Sequence, residues 1–456
     1  MSLLSTLSVA HSGLKAADAG VRGTSHNVAN ASTVGFHRRS VEQSVADPLQ
    51  QRGLWLGQGV DVNRLGRSED VLLARRVLSN AADASASATY STTLSGVEAY
   101  FEDGAPTNLR QALDRFFISL TDATRDPADL SIRRQVARAG QGVSDAVSMT
   151  AVGLNESMTQ VGARVDAALP DVNDALARVA ALNEALLAGG GALSAGDLAD
   201  QRDQLLKGLA SLTGARANFE ADGQVTVFIS GHAVVSGSHA RTLSFEGSGS
   251  TGQLMVSADD GKLDVTDAVG GELGGLLDAR ASLEGYLSDL NTFATDFSQA
   301  ANSQHQAGWD ANGNPGGALF AVSVGNEAMT MSFDDTLITD PSRLAFAGAN
   351  TALAGDDGNL RSLAALQTQT VVAGKDPLQW ATELTARLGG DVAKAAFSAE
   401  HSANLLSDTE ELQASLFGVD LDEEATNLMM YQAAYQASAK VIRTTDELLG
   451  TLMDLV

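Results

Sequence analysis

Apolar residues return at a fixed interval at both ends of this chain. Between residues 421 and 456, Leu421, Leu428, Tyr435, Ile442, Leu449 and Val456 stand seven apart, and Ala425, Ala439 and Met453 follow three of them by four. A strict seven-residue repeat drifts around a straight helix of 3.6 residues per turn, so it calls for a supercoiled partner. At the other end Leu3, Leu7, Ala10, Leu14, Ala17, Val21, Thr24 and Val28 alternate in steps of four and three. The first helix is the expected partner of the last. Gln432 and Asp446 occupy intervening positions of the last helix, where a solitary pair would gain from apolar residues. The pair is expected to be mobile alone and to order when neighbouring copies add contacts. Copies stacked head to tail would build an open helical polymer or a ring.

The first pattern stops at a turn-rich cluster, residues 30–35. Residues 36–70 read as extended and loop-like, with a short strand around Val60, Val62 and Leu65. Residues 69–212 read as mostly helical, with Pro127 suited to a helix start and Pro170 expected to kink or divide the long run. Gly189, Gly190 and Gly191 close that run. Near residue 215 the apolar period changes from helical to two, and Asp222-Gly223 and Asp260-Gly261 punctuate the strands. Helix returns at 271–303. Residues 308–358 are turn-rich, with strand candidates at 329–333 and 344–347, and 360–415 are helical again.

This order predicts a mainly α fold with β insertions. Terminal heptad helices form a coiled coil (1–45 with 410–456). Long helices from both halves form a bundle (46–214, 268–307 and 359–409). An antiparallel β unit (215–267) and a turn-rich β/loop insertion (308–358) are its outgrowths.

Composition narrows the function more than the fold. Aromatics make up 5% of the chain and prolines number 7, which favours long helices packed through small residues over large aromatic cores. The net charge of −26 argues against nucleic acid and against anionic membrane surfaces. The charge is uneven. Residues 1–40 hold Lys15, Arg22, Arg38 and Arg39 against Asp18 alone, whereas 408–456 are strongly acidic, so the two ends attract. The absence of cysteine excludes disulfides and thiolate metal sites. No signal peptide and no membrane-spanning run is expected.

Candidate chemistry is thin. Asp310, Asn312 and Asn314 resemble the start of a calcium loop, but Pro315 and Ala321 stand where glycine and glutamate are needed. The histidines form no i, i+4 metal pair on a predicted helix. Ser12 and Lys15 have the spacing of an acyl-enzyme motif without its companions. Asp422, Glu423 and Glu424 open a helix, where acids complement the dipole. Asn30 and Asn155 begin glycosylation sequons of little weight. These readings call for no enzyme, cofactor or metal.

Two terminal stretches carry a family resemblance. Residues 25–36, read Ser-His-Asn-Val-Ala-Asn-Ala-Ser-Thr-Val-Gly-Phe, resemble the amino-terminal signature of the flagellar axial proteins, which comprise rod, hook and hook-associated proteins. Asn27, Asn30, Gly35 and Phe36 are its motif residues here. The tail from Gln432 to Ile442, then Thr445-Asp-Glu-Leu-Leu, resembles their carboxy-terminal signature. Residues 197–206, 271–280, 301–305 and 418–428 are similar to the hook-associated members. Thr33-Val-Gly-Phe departs from their more usual Thr-Pro-Gly-Tyr and leans toward hook and rod proteins. The resemblance implies a structural subunit joining hook to filament, exported unfolded by the type III apparatus. It implies self-assembly through the terminal helices, with hook protein and a second hook-associated protein as neighbours. It also implies a cytoplasmic export chaperone at the carboxy-terminal end. A hook or distal-rod subunit stays open as an alternative, as does, from another class, a secreted cell-wall hydrolase or effector.

Overall fold

The computed structural model describes residues 3–51, 54–101, 105, 107–188, 192–220, 222–247, 251–259, 261–351, 353 and 355–454. Helix α1 (Leu3–Asn30) leads into a hairpin. Strand β1 (Arg39–Val45) pairs antiparallel with β4 (Val60–Arg67), and a smaller hairpin of β2 (Leu49–Gln51) and β3 (Leu54–Leu56) lies between them in sequence. Four helices follow: α2 (Val71–Glu98), α3 (Leu109–Ala123), α4 (Leu130–Leu187) and α5 (Ala192–Thr213). Next come β5 (Arg216–Phe219), β6 (Val225–Ile229), β7 (His232–Ser236) and β8 (His239–Ala240), a four-stranded antiparallel sheet in chain order. Strands β9 (Leu243–Glu246), β10 (Gln253–Ala258) and β11 (Gly261–Asp264) form a second sheet with β10 central. Helix α6 (Gly271–Gln306) returns to the bundle. An insertion carries β12 (Phe320–Ala321), α7 (Glu327–Thr330), β13 (Ser332–Phe333) and α8 (Asp335–Thr339). Helices α9 (Gly358–Ala365), α10 (Pro377–Phe417) and α11 (Leu421–Asp454) complete the chain.

The mainly helical fold with small antiparallel sheets is the expected class. Four local readings differ, one of them the strand expected at 344–347, where only Ala347 forms a bridge, to Trp309. The described residues of 39–67 hold paired strands, because Arg39 through Val45 and Val60 through Arg67 satisfy each other's backbone groups and β2 pairs with β3. Pro170 lies inside α4, which is undivided. Pro170 is exposed while Leu169 and Val172 are buried, so water can take the carbonyl it leaves without a donor. Of the strand expected at 329–333, only Ser332 and Phe333 pair. Residues 327–330 are helical, held by Asn291, whose Oδ1 accepts the Ala328 amide at 2.8 Å. The glycine run 189–191 lies outside the described residues.

Two cores share the long helices. In the first, α3, the first half of α4, the second half of α6 and the start of α10 close around the insertion. Its centre is aromatic: Phe116, Phe117, Phe293, Phe297, Phe320, Phe333 and Trp380 interlock at centroid distances of 4.9–6.4 Å. The aromatics are few but gathered, so the expectation of small-residue packing fails here. In the second core, the rest of α4 with α5 and the start of α6 packs on both sheets through Val225, Val227, Ile229, Leu254 and Val256. Two asparagines of α4 clip the sheets in place. Asn183 exchanges both hydrogen bonds with the backbone of Val225, and Asn173 does the same with Leu243.

The insertion at 308–358 is bound into the first core rather than projecting from it. Asn302 accepts the amides of Leu319 and Phe320 and donates to the Phe320 carbonyl. The carboxylate of Asp310, the head of the calcium-like stretch, accepts the backbone amides of Asn312 and Asn314 at 2.8 and 2.7 Å. His305 on α6 is fully buried. Its Nδ1 lies 2.8 Å from the Gly317 carbonyl and its Nε2 accepts the Ala345 amide at 2.8 Å. Both bonds are satisfied by neutral imidazole with the proton on Nδ1.

Burial holds the His305 pKa below its ordinary value of 6.5, with Arg133 acting in the same direction and the Gly317 carbonyl, Asp334 and Asp310 against it. The unfolded chain therefore takes up a proton before the folded one does. The stability this side chain supplies is complete above 6.5 and is lost as pH falls from there through the folded value. Urea unfolding of the wild type should show a midpoint that declines below pH 6.5. His305→Gln, which cannot take up that proton, should start lower at pH 7 and lose part of the decline.

Candidate assembly site: the terminal helix pair and its joint to the body

Helices α1 and α11 pack against each other antiparallel. A Cβ added at Gly13 would meet Ser438 Oγ at 3.1 Å, and one added at Gly20 would meet the Tyr431 ring at 2.4 Å. The buried face of α1 is made of small or polar residues: Ala10, Ala16, Ala17, Gly20, Gly23, Thr24 and Asn27. The expected seam residues Leu3, Leu7, Leu14 and Val21 are half-buried, and Val28 is exposed. On α11 the covered line runs through Glu424, Leu428, Tyr431, Ser438, Ile442, Thr445 and Leu449. Of the expected positions, Leu428, Ile442 and Leu449 lie on this line as half-buried residues. Leu421 and Tyr435 are exposed, and Val456 lies outside the described residues. After Leu421, Leu428, Tyr435 and Ile442 a covered residue stands three on, at Glu424, Tyr431, Ser438 and Thr445. Gln432 and Asp446 consequently face solvent. The cause is size: glycine and alanine on α1 leave room for a tyrosine ring and for hydroxyl side chains, so the line of closest approach does not follow the largest apolar residues.

The end of α1 is tied to the body by the residues of the family signature. Asn27 is buried and grips the Arg39 backbone at both ends, donating to its carbonyl at 2.9 Å and accepting its amide at 2.8 Å. Asn30 donates to the His26 carbonyl at 3.0 Å and lies 3.3 Å from the Thr33 hydroxyl. Gly35 has φ +77°, which favours glycine, and the Gln204 side-chain amide fills the space where a Cβ would stand. The Phe36 ring lies 5.5 Å from that of His26 and under the Arg39 guanidinium at 4.9 Å.

Beyond Phe36 the chain enters a cluster of charges. Helix α5 presents Asp197, Asp200 and Asp203, spaced three apart and so on one side. The Arg39 side chain is 0% exposed. Its guanidinium reaches Asp200 at 2.6 Å, Asp197 at 3.0 Å and the His37 carbonyl at 2.9 Å. Arg67, from the end of β4, pairs with Asp200 at 2.9 Å, Asp203 at 2.5 Å and Glu69 at 2.8 Å. His37 Nδ1 lies 2.9 Å from Asp200. Burial pushes the Asp200 carboxyl up, but the His37 hydrogen bond and the charges of Arg67 and Arg39 outweigh it and leave the pKa below its ordinary value. Burial likewise pulls Arg67 down, and Asp203 and Asp200 more than restore it. Arg38 points the other way. Its amide donates to the Phe417 carbonyl at 3.0 Å, and its guanidinium meets Glu424 at 2.7 Å and Glu423 at 2.6 Å.

Sequence reasoning missed this cluster. In the sequence Arg38 and Arg39 read only as net charge, and Glu423 and Glu424 only as partners of a helix dipole. The threefold spacing of Asp197, Asp200 and Asp203 was the available signal. Arginines neutralise these acids in place, which fixes geometry rather than moving protons. Among the described residues, no group of three His, Asp or Glu is placed to hold a metal ion.

Comparisons with known proteins point to one family. A family model described as the flagellar hook-associated protein FlgK helical domain matches residues 94–320, and one described as the flagellar basal body rod FlgEFG protein C-terminal matches 417–455. Flagellar hook-associated protein 1 of Escherichia coli (strain K12) is 24% identical, the match spanning 99% of this chain and 100% of that protein. The protein of the same name from Bacillus subtilis (strain 168) is 26% identical across 98% of this chain and 97% of its own length. The solved structure of the flagellar hook junction protein FlgK from Burkholderia pseudomallei shares the fold, with a TM-score of 0.67 at 15% identity. It covers 75% of this chain and 100% of its own.

Two substitutions probe the site. Gly20→Val should push Tyr431 away and loosen α1 from α11, at an overpacking cost of about 1–3 kcal/mol. Hydrogen exchange should show this as lost amide protection in α1, recovered when Tyr431→Ala is added. Arg39→Ala should lower stability by about 3 kcal/mol, the low end for a broken buried pair because Arg67 still faces Asp200. The urea midpoint reads it.

Proposed function

The chain belongs to the flagellar hook-associated protein 1 family, and on that premise we propose that it is a structural subunit of the junction between flagellar hook and filament. It works outside the cell and does so by assembly, not catalysis. No helix among the described residues is long and apolar enough to cross a membrane.

One observation carries the mode of assembly. Helix α11 has a second seam that the chain itself leaves uncovered. Met430, Ala434, Ala437, Val441 and Leu448 follow one another in heptad steps, and all are exposed, Met430 and Leu448 at 54% and 56%. This line lies about a quarter turn round the helix from the one that faces α1. Exposed apolar side chains repeating along a helix ask for another helix. Neighbouring copies are the natural suppliers, since each copy carries the same pair. Leu421, Tyr435 and Val28, expected as seam residues and exposed, fit contacts of the same kind, as do the half-buried Leu3, Leu7, Leu14 and Val21. Hook protein below and a second hook-associated protein above would meet the two ends of the same tube. A cytoplasmic chaperone that shields the carboxy-terminal seam before export suits its exposed apolar surface. These partners rest on the family and on that surface together.

Replacing Met430, Val441 and Leu448 with glutamate should leave helix content and unfolding midpoint close to wild type, because these side chains are exposed in the single chain. Cells relying on this variant should complete their hooks, build no filament and shed flagellin into the medium. Electron microscopy and assay of the medium decide it. Normal filaments would remove the second seam from the assembly, and missing hooks would favour a hook or distal-rod role.

A further inference from the structure

We propose that Arg38 is a clamp that fixes the angle between α10 and α11, so that the terminal pair and the body turn as one piece. The break between these helices is written locally. Gly418 ends α10 in an extended conformation, and Asp420 accepts the amides of Asp422 and Glu423 at the start of α11. Only residues 418–420 separate the helices. Local caps end one helix and start another, but they do not fix the direction in which the second departs.

Arg38 touches both sides of the break. Its amide satisfies the Phe417 carbonyl, one of the last acceptors of α10, which has no partner further along that helix. Its guanidinium holds Glu423 and Glu424 in the first turn of α11. Glu424 is 1% exposed, so this contact is sheltered from solvent screening. Arg38 is itself immobilised from the body side. The next residue, Arg39, is gripped through its side chain by Asp200 of α5, while Asn27 of α1 holds its backbone from the side of the terminal pair. The clamp therefore refers the direction of α11 to α5, an element of the body.

Packing does not do this work alone. A cavity of about 350 Å³ lies beside the joint, lined by Val34, Phe36, His37, Gln204, Phe417 and Val419. A hinge with space on one side can close or swivel into it unless a directed contact forbids the motion. Arg38 is that contact, and its geometry is selective: two oxygens from successive residues meet the guanidinium, and an ammonium could not reproduce the fork.

The full chain lacks cysteine, so paired spin labels can be placed without background. Glu400→Cys on α10 and Lys440→Cys on α11 are exposed sites on either side of the break. Pulsed dipolar spectroscopy on the labelled wild type should give one narrow distance distribution. Arg38→Ala should broaden it at least about twofold with helix content unchanged. Arg38→Glu should broaden it too, and adding Glu423→Arg with Glu424→Arg should narrow it again. Should Arg38→Ala fail to fold, Glu423→Gln with Glu424→Gln removes the same charges from the other side while keeping shape, and broadening is again expected. An unchanged width and mean in the folded variant would overturn the proposal.

Discussion

Everything at the joint depends on placing a fully buried arginine, Arg39, against a nearly buried aspartate, Asp200. Such a pair contributes little net stability, because desolvating two charges costs about what their attraction returns. Its value lies in what it forbids. Arg39 can enter the body only where Asp197 and Asp200 stand on α5, and Asp200 is comfortable only when Arg39, Arg67 and His37 surround it. Three stretches far apart in sequence (37–39, 67–69 and 197–203) are locked in a single arrangement. An apolar patch would have tolerated sliding. A forked guanidinium between carboxylates does not.

That lock explains why the terminal pair can be weak inside and apolar outside. In an ordinary two-stranded coil the largest apolar residues meet at the centre. Here the centre holds Gly20 against Tyr431, with Ser438 and Thr445 along the same line, while Met429, Met430 and Leu448 face outward. Hydrophobic gain scales with the apolar area removed from water, so the pair keeps much of its capacity for neighbours. The charged joint, the Asn27 grip and the β1–β4 hairpin do the positioning that a strong internal seam would otherwise supply.

The helices, the β unit and the existence of a terminal pair were legible in the sequence because each is a periodic signal repeated many times. The register of α11 was not. The eye follows large apolar residues, and only the glycines of α1 reveal that Tyr431 and Ser438 lie inside. The signature residues Asn27 and Gly35 could be found by resemblance, but their reasons could not. Asn27 serves a backbone twelve residues on, and Gly35 makes way for Gln204 on another helix. Pro170 does not divide α4, because propensity is local while α4 is fixed by two cores at once, one on each half of its length. The Phe cluster was invisible for a related reason: counting aromatics along the chain says nothing about where they converge.

The two cores also settle how load could pass through the molecule. Helix α4 extends about 87 Å at 1.5 Å per residue, and with α6 it joins the first core to the second. Helix α10 packs along α2 from the first core to the joint, where Asn80 holds Thr409 and Lys207 holds Glu410. A force on the outer end of the body is therefore delivered to the joint by continuous helices rather than by loops. At the joint the chain crosses between body and terminal pair at residues 31–38 and again at 418–420. One crossing would act as a swivel. With Arg38 as the proposed clamp, two crossings braced to each other and to α5 by ionic contacts hold the direction of the terminal pair against the body.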